Sequence, residues 1–124
     1  MYFPILRGRQ FELLALRECV NKNIISNQII PVVEPVKVSS TYIKTMDSFI
    51  KAGKSIAVIR NPQVGSWTKD SKKESNAKIH EQAMAQLKES NVISSFYVTS
   101  KLSTCIEYAI QQGVPIDSLI LICD

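Results

Sequence analysis

Gln28 to Lys37, QIIPVVEPVK, is a short apolar run that ends in a charge, and its reading decides the fold. Ile29, Ile30, Val32 and Val33 are β-branched with no polar residue among them, the composition of a strand covered on both faces in a parallel α/β sheet. Glu34 then falls at the carboxyl end of that strand. Working outward, three further runs repeat the design: Tyr2 to Leu6 ends at Arg7, Ser55 to Ile59 at Arg60, and Leu119 to Cys123 at Asp124.

Helical patterns separate these runs. Gln10 to Val20 is rich in helix formers, with Phe11, Leu14 and Glu18 on one side and Leu13, Leu16 and Val20 on an adjoining one. Ser39 or Ser40 caps a second helix, in which Ile43, Met46, Phe49 and Ile50 recur at helical spacing until Gly53 stops it. A third helix is predicted over Glu74 to Ser90, with Ala77, His80, Ala83, Met84 and Leu87 sharing a face, followed by a strand over Val92 to Val98. In the last helix Leu102, Cys105, Ile106, Ala109 and Ile110 follow i, i+3, i+4, i+7, i+8, and Gly113 and Pro115 end it. Between the third strand and the third helix lies NPQVGSWTKDSKK, Asn61 to Lys73, which has no periodicity. It reads as a long loop, expected to be least ordered over Gln63 to Lys73, with Gly65-Ser66 as its hinge.

The element order is therefore β-α-β-α-β-α-β-α-β, a single α/β domain over residues 1–124. The final strand has no helix after it to cover it. The (βα)4β pattern reads as the N-terminal half of a TIM-like barrel, a fragment of a longer barrel protein. The alternative, a flavodoxin-like open parallel sheet, needs a terminal helix over one face. Open sheet edges and uncovered apolar residues such as Ile5, Val32, Val58 and Ile120 predict a homo-oligomer.

A hydrophobic content of 45% gives the chain enough apolar residues for one core. No apolar run approaches the roughly 20 residues of a membrane helix, and MYFPILRGR does not have the form of a signal peptide, so a cytoplasmic protein without a membrane partner is expected. The three cysteines, Cys19, Cys105 and Cys123, are widely spaced in apolar stretches and read as reduced core residues; no cofactor or metal motif is evident. The net charge of +4 permits an anionic partner, a nucleic acid among them, without requiring one.

YFPILRGRQFELLALRE at 2–18, IIPVVEPVK at 29–37 and IAVIRNPQVG at 56–65 together resemble the N-terminal part of the beta protein family, named for a coliphage protein. The resemblance covers about the first half of the chain through these segments and the rest by pattern. It implies a TIM-like barrel of several hundred residues and a setting in phages or bacterial phage defence. No established activity comes with it.

In α/β folds ligands bind at the carboxyl ends of the strands. That rim holds Arg7, Arg9, Glu34, Lys37, Arg60, Asn61, Ser100, Lys101 and Asp124. Glu34 and Asp124 are the candidate catalytic carboxylates, able to move protons or hold a divalent cation, and Arg7, Arg9, Arg60 and Lys37 are the candidate anion-binding cations for a phosphate ester. The four groups Arg7, Glu34, Arg60 and Asp124 are expected to converge on one cavity. If these charges only pair with one another, the chain is instead a non-catalytic assembly or protein-interaction module. Arg7-Gly8-Arg9 with Glu34 resembles the strand-one and strand-two motif of glycerophosphodiester phosphodiesterases, but their paired histidines have no counterpart, since the sole histidine, His80, belongs to a helix. His80 itself reads as a packed side chain. Trp67 with Lys69, Lys72 and Lys73 combines an aromatic ring with cations, as single-stranded nucleic-acid binders do.

Overall fold

The β-branched runs become short parallel strands because a helical segment long enough to carry the chain back across the sheet lies between each strand and the next. A computed structural model describes residues 1–115 and 119–123. The strands are β1 (Ile5–Gly8), β2 (Val32–Pro35), β3 (Ile56–Ile59), β4 (Val92–Tyr97) and β5 (Leu119–Ile122). The helices are α1 (Gln10–Asn21), α2 (Ser40–Ala52), α3 (Trp67–Ser71), α4 (Ala77–Gln86) and α5 (Leu102–Gln111), with a 3-10 turn at Glu74–Asn76. The five strands form one sheet in the order β1-β2-β3-β4-β5, each pair of neighbours parallel.

Strand alternation divides the core in two. On one face Val33, Ile56, Val58, Val92 and Phe96 meet Leu13 and Val20 of α1, Tyr42, Met46 and Phe49 of α2, Ala83 of α4, Leu87 just after it, and Ala109 of α5. On the other face Ile30, Val32, Ala57 and Ile59 pack with Ile93, Tyr97, Ile120 and Ile122, side chains of strands and strand approaches alone. Register carries this alternation across the sheet, with Ile5 opposite Val32, Val32 opposite Ala57, and Ala57 opposite Ile93. A flavodoxin-like sheet reverses its strand order near β1 and carries helices on both faces. Among the described residues neither feature is present: order is sequential and the helices of the main core share one face.

Several boundaries differ from the sequence reading. The first strand starts at Ile5 rather than Tyr2, which makes only an isolated bridge to Ile29. Pro4 is the cause: its carbonyl accepts from the Val32 N–H, but it has no N–H of its own to continue the ladder. Arg7 and Gly8 consequently lie inside β1, and Glu34 lies inside β2. The 61–73 segment is not a bare loop, since it contains α3, and the third predicted helix is divided into the 3-10 turn and α4. Cys105 is half-buried and packs against the main core, whereas Cys19 is half-buried outside it and Cys123 is exposed; all three are free thiols. Among the described residues no helix is long and apolar enough to cross a membrane.

Candidate functional site

Ile59 ends β3 facing the uncovered side of the sheet, so the next residue, Arg60, falls on the helix side. There it lines a cleft of about 580 Å³ between α4 and α5, over the carboxyl ends of β3 and β4. The walls are largely apolar and aromatic: Tyr42, Trp67, Met84, Leu87, Phe96 and Tyr108. Lys72, His80 and Lys101 supply the further basic groups, and no carboxylate is among the lining residues. Arg60 Nη1 is buried without a hydrogen-bond partner among the described residues. Burial holds the guanidinium pKa below its ordinary value, against the opposing influence of the Tyr42 and Tyr108 phenols. The first turn of α5 meets the cleft through Lys101 and Thr104, and no side chain caps that helix. The helix dipole adds partial positive charge there.

Glu34 points the other way. It is 3% exposed, and its carboxylate accepts from Tyr97 Oη at 2.8 Å and from the Gln63 backbone N–H at 2.7 Å. Asn61 supports this arrangement by pairing with the Tyr97 main chain, donating from Nδ2 to its carbonyl at 3.1 Å and accepting its N–H at Oδ1 at 2.9 Å. The side chain of Asn61 thus takes the place of one more residue of β3, leaving the main chain free to turn towards β2 and present Gln63 to Glu34.

The rest of the 61–73 segment is tied to the chain that follows β2. Ser66 N–H donates to the Val36 carbonyl at 2.7 Å. Gly65, at φ 78°, lies so close that an added Cβ would be 2.5 Å from that carbonyl oxygen. Gly65 is a close-packed contact rather than the expected hinge. Trp67 meets Tyr42 edge to face with ring centroids 4.9 Å apart. Asp70, 6% exposed, accepts from Ser66 Oγ at 2.8 Å and lies 3.5 Å from Lys73 Nζ. The Ser66 hydroxyl chiefly, then the Lys73 charge and the Val38 backbone N–H, hold its carboxyl below the usual carboxylate range against the effect of burial. Gly8 is another close approach between strands: a Cβ there would lie 3.1 Å from the Glu34 carbonyl oxygen.

The expected rim therefore divides between the faces. Arg60 and Lys101 come together in the cleft, joined by Lys72 and Trp67. Arg7 is the register partner of Glu34 on the opposite face, exposed and in no ion pair with it. Arg9 is the residue before α1, and it, Lys37 and Ser100 are exposed. Lys69 lines a separate hollow with Pro62, Val64 and Trp67. Asp124 lies outside the described residues. The convergence of Arg7, Glu34 and Arg60 does not occur, because strand residues alternate between faces and Arg60 is out of phase with the other two. Sequence reasoning missed Tyr97, Gln63, Asp70 and Tyr42; only Tyr97 carried a signal, as a hydroxyl-bearing ring at the end of an apolar run. Among the described residues no group of three or more His, Cys, Asp or Glu side chains is arranged to hold a metal ion. No protein-family model matches the chain, and no curated protein or solved structure matches it significantly.

Proposed function

We propose that this chain is a cytoplasmic, phage-defence-associated member of the beta protein family that binds an anion or phosphate ester in the cleft between α4 and α5. One observation carries the reading: Arg60 presents a buried, unpartnered Nη1 in a cleft whose lining contains cations and no carboxylate. A buried donor of this kind is costly when left unsatisfied, and an anionic oxygen would satisfy it with a charge-assisted hydrogen bond. The resemblance of segments 2–18, 29–37 and 56–65 supports the family, and the sequential sheet with its one-sided helices is the arrangement expected of consecutive βα units in a barrel wall. The role is one of binding. Glu34, the catalytic candidate, faces away from Arg60 and its carboxylate already ties β4 and the Gln63 main chain together.

Titration calorimetry with inorganic phosphate and with sulfate tests this reading. The protein should bind at least one of them, and Arg60→Gln should weaken the affinity about tenfold or more, the loss expected for a charge-assisted hydrogen bond. Absence of binding at millimolar anion would remove the proposal.

A second reading, an assembly module, is favoured by a separate observation. Ile5 of β1 is 52% exposed and Leu121 of β5 is 48% exposed, so both edge strands present apolar side chains.

A further inference from the structure

We infer that the ligand of the α4–α5 cleft is a phosphate monoester carrying a flat aromatic body, the chemistry of a nucleoside monophosphate or an aryl phosphate. This rests on the anion-binding reading above and adds the class of compound. The cleft is too large and too apolar to have been shaped by a bare anion. Its volume of about 580 Å³ falls within the range of small-molecule sites, roughly 300–1,000 Å³, which are lined by apolar and aromatic side chains around a few polar groups. Met84, Leu87 and Phe96 form apolar wall, and a methionine adapts well to the edge or face of a ring. Tyr108, 58% exposed on α5, is a ring already at the mouth of the cleft, available to cover a planar group.

The charged end of the ligand follows from the other side of the lining. Arg60, Lys72 and Lys101 are three cations, and the start of α5 meets the cleft at Lys101 and Thr104. A dianion suits such a set better than a single carboxylate, and an arginine fork beside lysines is the usual equipment for phosphate. Since no acidic side chain lines the cleft, nothing there repels the phosphate.

Calorimetric titrations with inorganic phosphate, adenosine and adenosine monophosphate separate the possibilities. Adenosine monophosphate should bind about tenfold or more tightly than phosphate, the size of effect that one stacked base contributes, and adenosine should bind more weakly than its monophosphate. Tyr108→Ala, a change at an exposed position, should lower affinity for adenosine monophosphate several-fold more than it lowers affinity for phosphate. Lys101→Gln, also exposed, should weaken both phosphate-bearing compounds and provides the charge test if Arg60→Gln fails to fold. If phosphate binds but the nucleotide binds no more tightly, the aromatic body is wrong and the anion site stands. If adenosine binds as tightly as its monophosphate, or if neither phosphate nor the nucleotide binds, both readings fall.

Discussion

Asp70 is a buried carboxylate held by Ser66 one turn before it, by Lys73 just beyond α3 and, from the chain between β2 and α2, by the Val38 main chain. Its pKa in the folded chain lies below the ordinary value. A group depressed in this way stabilises the fold above its unfolded pKa, about 4 for aspartate, and the contribution is lost as pH falls through the folded value. Acidification below about pH 4 should therefore loosen α3. Trp67, the sole tryptophan, reports on that helix through its contact with Tyr42. Its fluorescence should change in an acid step before global unfolding, and Asp70→Asn should give the acid-like signal at neutral pH with the step removed; a flat titration in the parent chain would refute this. At this scale the sequence was partly legible. Arg60 announced itself as a charge ending an apolar run, but the face it occupies depends on the register of β3. Asp70 stood in a stretch without periodicity, where nothing distinguishes a buried carboxylate from a solvated one.

The connection from β3 to α4 is the element that differs most from its reading. A five-residue helix and a three-residue turn are each too short to show a hydrophobic period, so their pattern looks like loop. What organises them comes from elsewhere in the chain: the Val36 carbonyl, the Tyr42 ring and the Glu34 carboxylate. Gly65 is the tightest point. With φ 78° and a Cβ position 2.5 Å from the Val36 carbonyl oxygen, Gly65→Ala combines backbone strain with a clash against main chain. The strain alone costs about 1–3 kcal/mol. Urea denaturation should show at least that loss, and an unchanged midpoint would mean that the connection is free to move away from β2. By contrast α2 was legible at both ends, with only the choice between Ser39 and Ser40 as its cap left open. Ser39 accepts from the Tyr42 N–H at the start, and Gly53 at φ 66° takes the left-handed position at the end, both local signals that need no tertiary context.

For the whole molecule, the sheet was legible because four of its strands are apolar runs separated by helical patterns, and parallel pairing follows from that alternation. The division of the candidate residues between two faces was not legible, since it is a property of register. β1 and β5 each have one strand neighbour, and the apolar side chains of Ile5 and Leu121 remain substantially exposed. A free strand edge is a template for further pairing, and self-association through these edges is the expected outcome. Sedimentation equilibrium at about 10–50 μM, a range in which modest apolar interfaces associate, should show species above 13.9 kDa; a strict monomer would exclude the pairing. The sequential strand order has a different consequence, in the entropy of loop closure. Each strand pairs with the next one along the chain, across a single helix except between β3 and β4, where α3, the 3-10 turn and α4 intervene. The cost of bringing strands together is thus near the least that a parallel sheet permits, and no pairing has to await a distant part of the chain.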